Sequence, residues 1–295
     1  MSTSRIEFYK LRDFGAKMNA TIEFLRENIG RLFLNLLFIA GPVALLMSIL
    51  FTNLFSSMTD AIGLENDAQA FSFLAILGGN YFLLVVVALL AGSMVIAVSF
   101  TYIRLYNEGV AKETPIADVF KLSFKKYGGV ILIAFLIGVM VFIGFIFLFL
   151  PGFFLIFVLP LSFATYMFED VSPIKAIGRT FTLLKGKWWS TFGIGLIGYI
   201  LAYVVQMVFS LPTMVVYFAN IFTLVEEAQN NPGDPSAVFD FFSNGYMTAA
   251  FAISMLGAYL SNCIPLIGYS YQYANLVERQ EGRGLMSEIE DFDKA

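Results

Sequence analysis

The chain alternates between long apolar runs and short charged segments. Six runs contain no Asp, Glu, Lys or Arg: about 32–55, 81–103, 128–150, 153–168, 191–211 and 246–276. Five of them exceed the roughly 18 residues that mark a membrane-crossing helix. The run 153–168 has 16 residues. That is about 24 Å of helix at 1.5 Å per residue, short against an apolar core of about 30 Å. It follows the third run directly after Pro151-Gly152, and the pair reads as a tight two-helix hairpin. A re-entrant hairpin that stops short of the far side is the alternative. Pro42 is expected to kink the first run and Pro265 to break the sixth; both are tolerable where neighbours satisfy the freed carbonyl.

A second pattern precedes each odd-numbered run. About 13–30 places Phe14, Met18, Ile22, Leu25 and Ile29 on one helical face. The second segment, 114–127, opens with Thr114-Pro115-Ile116 and carries Val119, Phe120, Ser123, Phe124 and Tyr127. The third, 172–188, opens with Ser172-Pro173-Ile174 and spaces Ile174, Ile177, Phe181, Leu184 and Trp188 as helix neighbours. A hydroxyl followed by proline reads as an N-cap with proline at the first helical position. The expected plan is one in-plane amphipathic helix plus one hairpin, repeated three times.

Charge gives this plan a direction. All 18 Lys and Arg lie before the first run, between the second and third, between the fourth and fifth, or after the sixth. The two longer remaining connections hold acids only: Asp60, Glu65 and Asp67 in one, Glu226, Glu227, Asp234 and Asp240 in the other. Lys and Arg accumulate on the cytoplasmic side of membrane proteins. Six spans with both termini in the cytoplasm follow. Composition agrees: 58% of residues are hydrophobic and 14% charged, where a soluble domain carries about 25% charged. The fold class is therefore an all-α membrane protein, with one polytopic domain over 1–283 and an acidic cytoplasmic tail over 284–295. The connection 223–244 reads as loop, with Asn231-Pro232-Gly233-Asp234-Pro235 as turn chemistry.

Little in the chain carries reaction chemistry. It has no histidine and one cysteine, Cys263. Histidine acid–base catalysis, histidine metal ligation and an intrachain disulfide are thereby excluded. Gly193–Gly198, "GIGLIG", has the spacing of a dinucleotide fingerprint but opens an apolar run with no strand before it. Close helix packing is its expected use, as for Gly257 and Ser261 in the sixth run. Asn35, Gln206 and Asn262 are amides within or near runs, with Gln272 and Asn275 at the end of the sixth; they could form a polar network or line a solute path. No ionisable group lies inside any run, where coupled carriers usually bury one. Glu169-Asp170 could be catalytic or bind a divalent ion, but pairing with Lys175 or Arg179 is the expected arrangement.

Basic segments with large apolar neighbours suit a membrane interface, and Trp and Tyr prefer that depth. Candidate interface or headgroup residues are Lys121, Lys125, Lys126, Lys175, Arg179, Lys185, Lys187, Trp188 and Trp189. A purely topological anchoring role for them is the alternative.

The stretch 150–193 contains Pro151-Gly152, a span ending at Glu169, then Ala176 with Arg179-Thr180, Lys185-Gly186, Trp188 and Phe192-Gly193. In this combination it resembles the membrane domain attached to some glycerophosphoryl diester phosphodiesterases and also found in stand-alone bacterial membrane proteins. The N-terminal "LRDFGAKMNATIEFLRENIG" is similar to the start of the stand-alone kind. The resemblance implies a bacterial cytoplasmic-membrane location. It does not bring phosphodiester hydrolysis, which in that family belongs to a separate soluble barrel using histidine and metal-binding acids. The function expected is non-enzymatic and without cofactor: an interaction or scaffold subunit touching membrane lipids, and other membrane proteins or a second copy, but no nucleic acid. The alternative is a transporter or channel for a neutral or lipid-like solute. A membrane enzyme would need a reactive constellation that the sequence does not display.

Overall fold

The computed structural model describes residues 5–60, 67–232 and 236–292. Glu65, the turn residues Gly233, Asp234 and Pro235, and Lys294 lie outside the described residues. Within them every regular element is a helix, without strands. The order is α1 (Phe14–Asp60), α2 (Asp67–Glu108), α3 (Ile116–Leu148), α4 (Leu150–Val158), α5 (Leu161–Glu169), α6 (Pro173–Leu183), α7 (Trp188–Asn230), α8 (Ser236–Ser243), α9 (Gly245–Ser261), α10 (Cys263–Glu281) and α11 (Arg283–Phe292). Six helical stretches are long and apolar enough to cross a membrane: Phe14–Met58, Leu74–Glu108, Ile116–Phe147, Leu150–Glu169, Trp188–Glu227 and Gly245–Glu281. The protein is thus a polytopic helical membrane protein.

Several boundaries differ from those expected. Separate in-plane and spanning helices would need a break near Gly30 and near Tyr127. α1 and α3 run through both places without one. Only the third segment keeps the break, where the turn Leu184–Lys187 separates α6 from α7. The fourth run is two helices meeting at Leu159-Pro160. The sixth run breaks at Asn262 rather than Pro265. Pro265 instead sits in the first turn of α10, where its missing N–H costs nothing. The 223–244 connection, expected as loop, is largely helical, because α7 continues to Asn230 and α8 follows. The acidic tail likewise forms α11 after a left-handed Gly282 closes α10.

By its packing the chain divides into two compact units. One comprises Met1–Leu36, Ser93–Tyr203 and Asn262–Ala295; the other comprises Leu37–Gly92 and Val204–Ser261. The second unit is held by aromatic and hydroxyl contacts. Phe51 packs on Phe251 at 4.3 Å between ring centroids, and Thr52 and Thr248 share a 2.7 Å hydrogen bond. Gly257 lies directly against Phe209, as its small size allows.

In the first unit α3 and α4 form the hairpin. The chain reverses at Phe149, at a positive φ of 55°, one residue before α4 and two before the expected Pro151-Gly152 turn. Gly144 and Gly152 let the two helices meet: a Cβ on Gly144 would stand 2.8 Å from the Gly152 backbone. The three glycines of "GIGLIG" do the same work. Added Cβ atoms would fall 3.0 Å from the Phe14 ring at Gly193, 2.7 Å from the Phe157 carbonyl oxygen at Gly195 and 2.9 Å from the Pro265 Cα at Gly198.

The first turns of α1 bury a mixed face and expose a mixed face, with Asn19, Glu23 and Arg26 on the outside. The face buried in the first unit holds Lys17, Ala20, Thr21, Phe24, Asn28 and Leu32, while Phe14, Ile22 and Ile29 are exposed. The apolar stripe seen in the sequence is split: Ile22 and Ile29 are exposed, Met18 and Leu25 are half-buried, and the Phe14 ring lies against Gly193.

Candidate functional site

The basic segments all belong to the first unit and present their cations in two ways. α3 starts at Ile116 with Pro115 in the capping position and no side-chain cap. Thr114 donates its hydroxyl to the Val110 carbonyl instead. The first turns of α3 bury Val119 and Ser123 and expose Phe120 and Phe124. Lys121 and Lys125 are exposed on that side. Lys126 turns inward: its ammonium donates to Asp170 Oδ1 at 2.6 Å and lies 5.0 Å from the centre of the Tyr166 ring. Asp170 holds a left-handed backbone at the end of α5, a conformation that aspartate tolerates. The hydrogen bond and charge of Lys126 hold its carboxyl below the usual carboxylate range.

α6 begins as expected, with Ser172 in the cap position and Pro173 in the first turn, although the hydroxyl makes no cap bond. Lys175 and Lys185 are exposed and Lys187 is half-exposed. Trp188 packs against Phe154 and Phe181, while Trp189 is 77% exposed. Arg179 is engaged inside the fold. Its Nε donates to both oxygens of Glu169 at 3.2 and 3.3 Å, and its guanidinium also pairs with Glu281. Tyr273 donates its hydroxyl to the same Glu169, whose side chain is only 8% exposed. Glu281 in turn accepts from Arg283 at 2.8 Å. Glu169 and Asp170 therefore serve different cations. Among the described residues no group of three or more His, Cys, Asp or Glu side chains converges as a metal site.

The candidate amides of Asn35 and Gln206 bond locally through their NH2 groups only. Asn35 is buried and donates to the Arg31 carbonyl at 2.8 Å; Asn262 is exposed at the α9–α10 break. Gln206, in the second unit, donates to the Ser254 carbonyl at 2.8 Å. The carbonyl oxygens Asn35 Oδ1 and Gln206 Oε1 are buried without a partner.

Three features escaped the sequence reading. The most consequential is Lys17, 3% exposed, which donates to Gln272 Oε1 at 2.6 Å and Ser190 Oγ at 2.8 Å. Gln272 Nε2 donates onward to Thr191 Oγ1 at 2.7 Å. This chain of donors ties α1, α7 and α10 together around a cation held by neutral groups. A lysine on the same face as Ala20, Thr21 and Phe24 was the available signal. Next, the segment before α1 is ordered: Phe8 packs on Phe168 and Tyr271, and Asn275 donates to the Arg12 carbonyl at 2.9 Å. Finally, Arg104 at the end of α2 pairs with Glu108 at 3.1 Å beside the start of α3. No family model matches the chain, and no curated protein or solved structure matches it significantly.

Proposed function

We propose that the protein is a non-enzymatic, multi-pass component of a bacterial cytoplasmic membrane, with both termini in the cytoplasm. It acts as an interaction or scaffold subunit that holds anionic phospholipid headgroups at its basic segments. The observation that carries this reading is the pairing of exposed cations with exposed large apolar groups. Lys121 and Lys125 stand beside Phe120 and Phe124, and Lys175 and Lys185 stand on the segment that carries Ile174 and Trp189. Such a surface places apolar groups at the acyl boundary and ammonium groups at the phosphates. Each cation near an anionic leaflet contributes about 1 kcal/mol, which is roughly fivefold in lipid retention. The resemblance of 150–193 to stand-alone bacterial membrane domains supports the location, and the segregation of all 18 cations supports the orientation.

The test is native mass analysis of the full chain released from membranes in mild neutral detergent. The expected spectrum shows anionic phospholipid retained several-fold over phosphatidylcholine, on a complex with a second copy or another membrane protein. Replacing Lys121, Lys125, Lys175 and Lys185 with Gln removes the anionic preference. A lone, lipid-free monomer, or equal retention of both lipid classes by the wild type, contradicts the proposal.

A further inference from the structure

A cavity of about 220 Å³ opens between the end of α2, the start of α3 and α5. Arg104, Lys125 and Lys126 line one side, and Leu105, Leu122 and Met167 form its apolar part. Glu108 is the only acid in the lining, and Thr101 adds a hydroxyl. Lys126 is already taken by Asp170, whose carboxylate also feels the charge of Arg104. Among the described residues no ion pair engages Lys125, and Arg104 forms its ion pair with the exposed Glu108. Exposed ion pairs of this kind are worth about 0–1 kcal/mol, so a phosphate can replace Glu108 on the guanidinium at little cost. An arginine fork also matches two phosphate oxygens at once.

We infer that this cavity seats the phosphodiester headgroup of a single anionic phospholipid, with Arg104 and Lys125 on the phosphate. The inference rests on the headgroup reading of the basic segments and gives it one defined position. The size suits a headgroup: whole drug-sized ligands occupy pockets of about 300–1,000 Å³. The apolar half separates a lipid from a free phosphate, which would gain nothing from Leu105 or Met167.

The experiment titrates the full chain, in neutral detergent, with dihexanoyl-phosphatidylglycerol, dihexanoyl-phosphatidylcholine or glycerol-1-phosphate and counts adducts by native mass analysis. Wild type is expected to prefer phosphatidylglycerol. The double variant Arg104→Gln with Lys125→Gln weakens that binding about tenfold. Leu122→Trp fills the cavity without changing charge and gives a loss of the same order. The control pair Lys10→Gln with Arg26→Gln, exposed cations outside the cavity, stays within twofold of wild type. If the cavity pair and the control pair lose binding equally while wild type still prefers phosphatidylglycerol, the cavity assignment is overturned and the general headgroup reading stands. If Leu122→Trp binds as wild type does, the cavity assignment is likewise overturned. If wild type shows no preference over phosphatidylcholine, the headgroup reading itself falls. If glycerol-1-phosphate binds as tightly as the lipid and displaces it, the ligand is a soluble anion and the lipid assignment is overturned.

Discussion

Gly195→Val is expected to abolish stable folding of the first unit. A Cβ at this position would lie 2.7 Å from the Phe157 carbonyl oxygen, which cannot withdraw without moving α4, and would overlap the Tyr269 hydroxyl. That hydroxyl donates to the same carbonyl at 2.8 Å. The substitution therefore overpacks a helix crossing and also breaks a buried hydrogen bond. Overpacking costs about 1–3 kcal/mol, and a buried donor left unsatisfied costs about 1–3 kcal/mol more. A loss of about 4 kcal/mol is a large part of the roughly 5–15 kcal/mol that holds most proteins folded. Gly178→Ala is the contrast. Nothing lies within 4 Å of its added methyl group, and replacing a helical glycine with alanine gains about 0.5–1 kcal/mol. Thermal midpoints in detergent, read by loss of the monodisperse elution peak, should fall sharply for the first variant and hold or rise for the second. A Gly195→Val protein that melts with wild type would remove the close crossing of α7 with α4 and α10 from the account.

Gln272→Leu is expected to cost nearly as much, for an electrostatic reason. It leaves the Lys17 ammonium buried with Ser190 Oγ alone. Removing one partner of a buried charge typically costs about 3–5 kcal/mol. Lys17→Met removes the charge itself and leaves only neutral groups unmet, at a cost nearer 2 kcal/mol. The double variant Lys17→Met with Gln272→Leu should therefore be more stable than Gln272→Leu alone. Contacting residues in one network are non-additive in this way. Denaturation midpoints of the three variants decide the matter. Costs that simply add would show that Lys17 and Gln272 do not depend on each other.

These two sites also show how much the sequence could reveal. The packing role of "GIGLIG" followed from glycines at the start of an apolar run, and each added Cβ indeed meets a neighbour. Five of the six apolar stretches were legible because the absence of charge over 18 or more residues has few other causes. The direction of the α1 stripe was not legible. Periodicity finds an apolar face but not what it meets, and here Ile22 and Ile29 are exposed while Lys17 and Asn28 lie inside. The break at Asn262 was misplaced onto Pro265 because proline ends helices only beyond their first turn. Contacts such as Asn275 with Arg12, 263 residues apart, leave no local pattern. Arg179 was expected both as an interface cation and as a partner for Glu169-Asp170; it does pair with Glu169, while its second partner Glu281, 102 residues away, left no local pattern.

The proposed orientation would put the basic segments on one side of the membrane, opposite the acidic connections. Impermeant maleimide labelling tests it directly. In a Cys263→Ser background, which removes the only native cysteine, single cysteines are introduced as Lys125→Cys, Lys185→Cys and Asn231→Cys. In intact bacterial spheroplasts the account predicts labelling of Asn231→Cys alone, with the other two reacting only after permeabilisation. Labelling of Lys125→Cys or Lys185→Cys from outside intact cells would contradict it.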